Sequence, residues 1–271
     1  MTMAMLKTSK AEIRANVLTL RPDQHIEIKS KPRTRRAQET TEHLQKVTEL
    51  DPDYAYHHVI GLHGDQRKGE KFAGNDNGDF FWWRQTLLAG RDDGMFAYET
   101  WRGGDVLENH DENSVRGHIA DVWPVFTDKS IDMLMATKKS AFQQLCANID
   151  SGKITDVSMG TIVGHSYCSV PNCHRHASKK NPNITEDDWC EHLKYRKGAF
   201  DTTEGVWIYE DNRDIFGVEC SWITFGQGAD STAKLQMKVA SLTHEQHISN
   251  RSPLMSKGVV QLFSDRGRVK R

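Results

Sequence analysis

The chain has no run of apolar residues long enough to cross a bilayer, and Met1 to Lys10 lacks the apolar core of a secretory signal. These absences argue against a membrane-spanning or exported protein, and the expected location is the cytoplasm. Cysteine is scarce. Five cysteines, an odd number without an export signal, argue against a disulfide framework and for thiols kept reduced or bound to metal. Charge of one sign is also lacking, since 36 Lys and Arg stand against 37 Asp and Glu for a formal net charge of -1. No internal repeat is found. What remains is a polar sequence, 27% charged with a mean hydropathy of -0.66, long enough at 271 residues for one sizeable domain with an insertion or for two small ones.

The balanced charge hides basic ends. Lys7, Lys10, Arg14, Arg21, Lys29, Lys31, Arg33, Arg35 and Arg36 face only Glu12, Asp23 and Glu27, and the tail from Arg251 carries Lys257, Arg266, Arg268, Lys270 and Arg271 against Asp265. Such ends are either solvated and mobile or dock on an acidic scaffold or packaged nucleic acid.

Between them the pattern is mostly that of strands. Glu39 to Leu50 places Leu44, Val47 and Leu50 at helical spacing and stops at Asp51-Pro52, which predicts a short amphipathic helix. Tyr54 to Leu62 and Val115 to Phe126 read as strands, with a turn at Asn77-Gly78. Lys139 to Asp150 puts Phe142, Leu145, Cys146 and Ile149 on one helical face, ended by Gly152. From Ile154 to Val163 the residues alternate, with Val157, Met159 and Val163 on one face and Asp156, Ser158 and Gly160 on the other. Ile215 to Phe225 alternates likewise: Phe216, Val218, Cys220 and Trp222 share one face, and Gly217, Glu219, Ser221 and Ile223 the other. The expected fold is mainly β with flanking helices, a barrel-like sheet in the α+β class.

Three separated segments carry chemistry. Leu107-Glu-Asn-His110-Asp-Glu-Asn, Ile154-Thr-Asp-Val-Ser158-Met-Gly160 and Phe216-Gly-Val-Glu219-Cys-Ser-Trp222 supply an imidazole, a hydroxyl and a carboxylate. A serine hydroxyl is a poor nucleophile at neutral pH, so it needs a base to take its proton and usually a third group to orient that base. Taken in order, with Asn75-Asp-Asn-Gly-Asp79-Phe80 before them and a cysteine cluster between the second and third, these segments resemble the prohead (capsid maturation) serine proteases of large tailed bacteriophages, distant relatives of herpesvirus assemblin. The resemblance covers about Tyr54 to Ala233 and implies an assemblin-like barrel in which Ser158 is the nucleophile, His110 the base and Glu219 the acidic partner. Among the 13 histidines, His118 and His165 are weaker candidates for the base, and Asp111 and Asp121 compete with Glu219. The resemblance also implies scaffold and major capsid proteins as substrates, self-cleavage, action inside the assembling prohead in the host cytoplasm, and a homodimer by analogy with assemblin.

Cys168-Ser-Val-Pro-Asn-Cys173 followed by Cys190-Glu-His192 offers three thiolates and an imidazole, a closed tetrahedral set for structural zinc. Related phage proteases more often separate the first pair by two residues, so His174 and His176 stand as alternative ligands. The insert from Gly164 to Glu204 is poor in apolar residues and needs a staple. Cys146 and Cys220 lie in apolar patterns as buried thiols.

The expected organisation is a basic segment with a short helix over 1–50, a protease domain over 51–235 with a zinc-binding insertion over 164–204, and a removable basic tail over 236–271. Two other readings compete with the protease. A zinc-stapled module could bind a viral scaffold or nucleic acid without catalysis, with its basic ends touching the nucleic acid. A zinc hydrolase is disfavoured because four protein ligands leave no position for substrate water.

Overall fold

Short alternating or fully apolar runs bounded by turn residues give strands, and here they give thirteen among the described residues. A computed structural model describes residues 34–47, 50–173, 175–178, 188–226 and 228–239. Helix α1 (Arg35–Leu44) leads into β1 (Tyr54–His63), the hairpin of β2 (Arg67–Lys68) and β3 (Lys71–Phe72), and β4 (Asp79–Phe81). A π-helical turn (Trp83–Leu87) and a 3-10 turn (Ala97–Trp101) precede β5 (Asp105–Glu108), β6 (Gly117–Val125) and β7 (Ser130–Lys138). After α2 (Gln143–Asp150) come β8 (Val157–Cys168), β9 (Arg175–Ser178), α3 (Glu191–Arg196), β10 (Phe200–Asp201), β11 (Val206–Trp207), β12 (Glu210–Trp222) and β13 (Leu235–Val239).

Nine strands form one sheet in the order β13-β1-β7-β6-β5-β12-β8-β9, with β4 added alongside β12. The sheet curls until its two sides meet. Lys234 bridges Asp156, Leu235 N donates to Thr155 O, Val157 N to Ala233 O and Ile60 N to Lys234 O, so the segment before β13 stitches β1 to the start of β8. Inside the curl lie Val59, Trp101, Ile119, Met133 and Trp222.

β7 is buried on both faces. Ile131, Met133 and Met135 enter the interior, while Leu134 and Ala136 meet Leu44, Leu50 and Trp123 under α1. Truncating Leu134 to alanine is expected to cost about 2–5 kcal/mol. Helix α1 is fastened by charge as well as by packing. Arg36 donates to Ser130 Oγ (2.8 Å) and to the buried Asp132 (2.8 Å), and it pairs with Asp128. His58 Nε2 stands 2.6 Å from the same Asp132. Together with Ser130, these partners hold the Asp132 carboxyl below its ordinary range although burial pushes it up.

Several boundaries differ from expectation. Helix α1 starts at Arg35, where Thr34 caps it through a hydroxyl that accepts from Ala37 N at 3.1 Å, and it ends at Leu44 rather than Leu50. Leu50 still packs beneath it. β12 does not alternate throughout, since a bulge between Gly217 and Glu219 puts Ile215 and Gly217 on the interior side with Cys220 and Trp222 and sends Phe216 outward. Gly217 is required there: a Cβ would stand 2.1 Å from the Trp101 ring. β13 pairs with β1 and buries Val239, so the sheet continues past Leu235. The basic ends up to Arg33 and from residue 240 lie outside the described residues.

Candidate active site and metal cluster

His110 is carried by a two-residue turn. β5 ends at Glu108, and Asp111 N returns a hydrogen bond to Glu108 O at 3.1 Å, leaving Asn109 (φ 54°) and His110 (φ 59°) both left-handed. That conformation is uncommon for a non-glycine side chain and persists where surrounding contacts over-determine it. They do so here. Asn109 N donates to Trp222 O (3.0 Å), the Asn109 amide donates to Thr224 Oγ1 (2.7 Å), Thr224 N donates to Asn109 Oδ1 (2.9 Å), and His110 N donates to Ser221 Oγ (3.0 Å).

The turn brings His110 Nδ1 to 2.8 Å from Glu219 Oε1. Glu219 is buried on β12, and its second oxygen accepts from Ser221 Oγ at 2.8 Å. Across the ladder Glu219 faces Gly160 and Ser221 faces Ser158. Directly paired residues share a sheet face with Cβ atoms about 4.5–5.5 Å apart, so Ser158, Gly160, Glu219 and Ser221 form one patch beneath the His110 turn. The bulge keeps this register at the patch while shifting the rest of the strand.

Ser158 faces away from the interior, as its alternation predicts, but it is not on an open face. It is 5% exposed, lies near the Gly228 segment, and lines a small cavity with His63, Gln66, Asn75 and Asp230. Its hydroxyl makes no hydrogen bond among the described residues. A hydroxyl with no partner among the described residues is compatible with a resting nucleophile, because catalytic hydrogen bonds often tighten only when substrate binds.

The two competing carboxylates are engaged elsewhere. Asp111 Oδ1 accepts from Asn113, and Asp121 is held by His43 (2.7 Å) and Arg102. His118 pairs in register with Asp105, itself beside Glu219, and burial pushes its imidazole below the ordinary range. His165 stands opposite Arg213 at the far end of β8, seven residues from Ser158 or about 23 Å of strand. Ser221 was not singled out by its sequence context. The visible signal was its place two residues after Glu219, on the same strand face.

The second cluster lies at the end of β8, at the edge of the curled sheet. Ligand atoms of Cys168, Cys173, Cys190 and His192 all fall within 4.8 Å of one another, with Cys173 Sγ 3.2 Å from His192 Nδ1. A tetrahedral zinc site with thiolates at 2.3 Å would set its sulfurs about 3.8 Å apart, so small side-chain adjustments close the set. Burial pushes the Cys168 thiol up, and the neighbouring Cys190 and Cys173 add to the rise. Thiols crowded in this way favour a divalent cation, which stabilises them as thiolates. The cluster could therefore hold a metal ion. His174 and the side chain of His176 lie outside the described residues. Cys168, Val170 and Leu193 of the insertion are buried together with Ile208, and Trp189 and Val206 pack against them, so residues beyond Glu204 complete its small apolar cluster.

No protein-family model matches the chain, and neither a curated protein nor a solved structure matches it.

Proposed function

We propose that this protein is a serine endopeptidase with Ser158 as nucleophile, His110 as general base and Glu219 as the group that orients the base. The observation that carries the reading is the 2.8 Å contact of His110 Nδ1 with buried Glu219, two ladder positions from Ser158 on the same sheet face. An ionised carboxylate only accepts, so the imidazole donates from Nδ1 and keeps its Nε2 lone pair for a proton. In the reaction Ser158 Oγ attacks the peptide carbonyl and gives its proton to Nε2. The imidazolium, steadied by Glu219, returns it to the leaving amine, and water releases the acyl group by the same route.

The resemblance to phage prohead proteases suggests the substrates, namely scaffold and major capsid proteins and the enzyme itself inside the assembling head. The curled sheet with flanking helices is compatible with an assemblin-like barrel. Zinc suits the three-sulfur, one-nitrogen cluster, and four protein ligands make its role structural. The test is co-expression of the protein or its Ser158→Ala form with a candidate scaffold, followed by mass measurement. The parent protein should yield discrete fragments and the variant none. Equal cleavage by both forms would remove Ser158 from the mechanism.

A further inference from the structure

Ser221 closes a ring of hydrogen bonds around His110. The ring runs from His110 N to Ser221 Oγ (3.0 Å), from Ser221 Oγ to Glu219 Oε2 (2.8 Å), and from Glu219 Oε1 back to His110 Nδ1 (2.8 Å). The proton positions are fixed by what each group can do. With Glu219 ionised, both of its oxygens only accept, so Ser221 must spend its one hydroxyl proton on Oε2. Its oxygen is then an acceptor for the His110 backbone N–H, and Nδ1 must donate to Oε1. Ser221 Oγ is 3.5 Å from Nδ1, too far to compete with the 2.8 Å carboxylate contact.

Ser221 is fully buried, and its hydroxyl proton is committed to Glu219, so it is not itself a nucleophile although it stands directly opposite Ser158. Its position does something else. One hydroxyl holds the His110 backbone in its left-handed conformation and also fixes the carboxylate that orients the imidazole. Without it, Glu219 loses a donor and the strained turn loses one of its ties to β12.

We infer that Ser221 is a positioning residue of the catalytic site, acting through Glu219 and the His110 turn. The inference rests on the serine-protease reading. In Ser221→Ala the carboxylate and the turn gain freedom while no exposed surface changes, because Ser221 is fully buried. The expected result is a fall in kcat of about 10- to 100-fold, with KM changed by less than about twofold.

The test measures cleavage of a candidate scaffold by the full chain and by its Ser221→Ala, Ser221→Cys, Glu219→Gln and Ser221→Ala/Glu219→Gln forms, with Ser158→Ala as control. Ser221→Cys keeps the packing volume but makes poor hydrogen bonds, so it should fall with Ser221→Ala. In the Glu219→Gln background the loss of Ser221 should cost little further, because the two act on one target. Wild-type kcat in Ser221→Ala, full activity in Ser221→Cys, or additive losses in the double variant would overturn the role of Ser221 while leaving the protease reading intact. Cleavage by Ser158→Ala at the parent rate would instead overturn the reading beneath it.

Discussion

Gly160→Ala tests the geometry of the site with a single methyl group. A Cβ at residue 160 would stand 2.1 Å from Glu219 Oε1 and 2.8 Å from its Cδ, whereas ordinary contact begins at 3.4 Å. The backbone cannot give way easily, because Gly160 is paired with Glu219 in the ladder and its carbonyl accepts from Trp101 Nε1 at 3.0 Å. The carboxylate must therefore retreat by about 1.3 Å, on the scale at which misplacement costs about 100-fold in rate. That factor corresponds to about 2.7 kcal/mol of transition-state stabilisation. The fold should survive, since Gly160 is only partly buried and the moving group is the end of a side chain. The assay pairs the initial rate of scaffold cleavage with thermal unfolding. A folded Gly160→Ala protein that cleaves at the parent rate would show that the His110–Glu219 contact does not govern the reaction.

Cys168→Ser should release bound zinc and lower the Tm, as read by elemental analysis and thermal unfolding, with cleavage lost only as the insertion loosens. Protein purified under reducing conditions without zinc would remove the metal assignment. Arg36→Ala should destabilise the protein by about 1.5–3 kcal/mol in chemical denaturation, because buried Asp132 loses its guanidinium donor while keeping His58 and Ser130; an unchanged denaturation midpoint would show that α1 is not fastened through this charge. Burial holds the His57 imidazole below its ordinary value of 6.5, against the pull of Asp150. The unfolded chain then takes up this proton at a higher pH than the folded one, so the stability His57 contributes is present above 6.5 and is lost as pH falls through the window beneath it. Thermal unfolding across that window should show the decline, and His57→Gln should flatten it; an unchanged slope in the variant would assign the acid sensitivity elsewhere.

Periodicity made the strands of the site legible and the centre of the sheet hard to see. β8 alternates because one face meets the interior and the other carries the candidate patch, so the sequence alone places Ser158 on its face. β7, Ser-Ile-Asp-Met-Leu-Met-Ala-Thr-Lys, has no such contrast. Its two faces enter two different cores, and a strand buried on both sides loses the period that would reveal it. The β12 bulge was invisible for a related reason. One extra residue reverses the face of everything before it, and only the partner strand fixes where that residue lies. Gly217 offered a hint in retrospect, since a glycine in a strand often marks a bulge or a close approach, here to Trp101.

The site was legible as residue types and illegible as connections. His110, Ser158 and Glu219 could be selected by order along the chain, but nothing in that order says that the histidine rides on a left-handed turn or that a second serine ties it to the carboxylate. Both features depend on β5 running parallel to β12, with Glu108 beside Trp222. This pairing sets the Asn109-His110 turn over Ser221, and the antiparallel β8 then brings Ser158 opposite the same residue. The base, its orienting group and the proposed nucleophile thus meet across three strands remote in sequence, and β12, the middle one, fixes their register. A one-residue slip of β12 against β8 would turn Glu219 and Ser221 to the interior and leave His110 without either partner. The bulge lies just before Glu219, so the strand's irregularity falls outside the segment whose register the site requires.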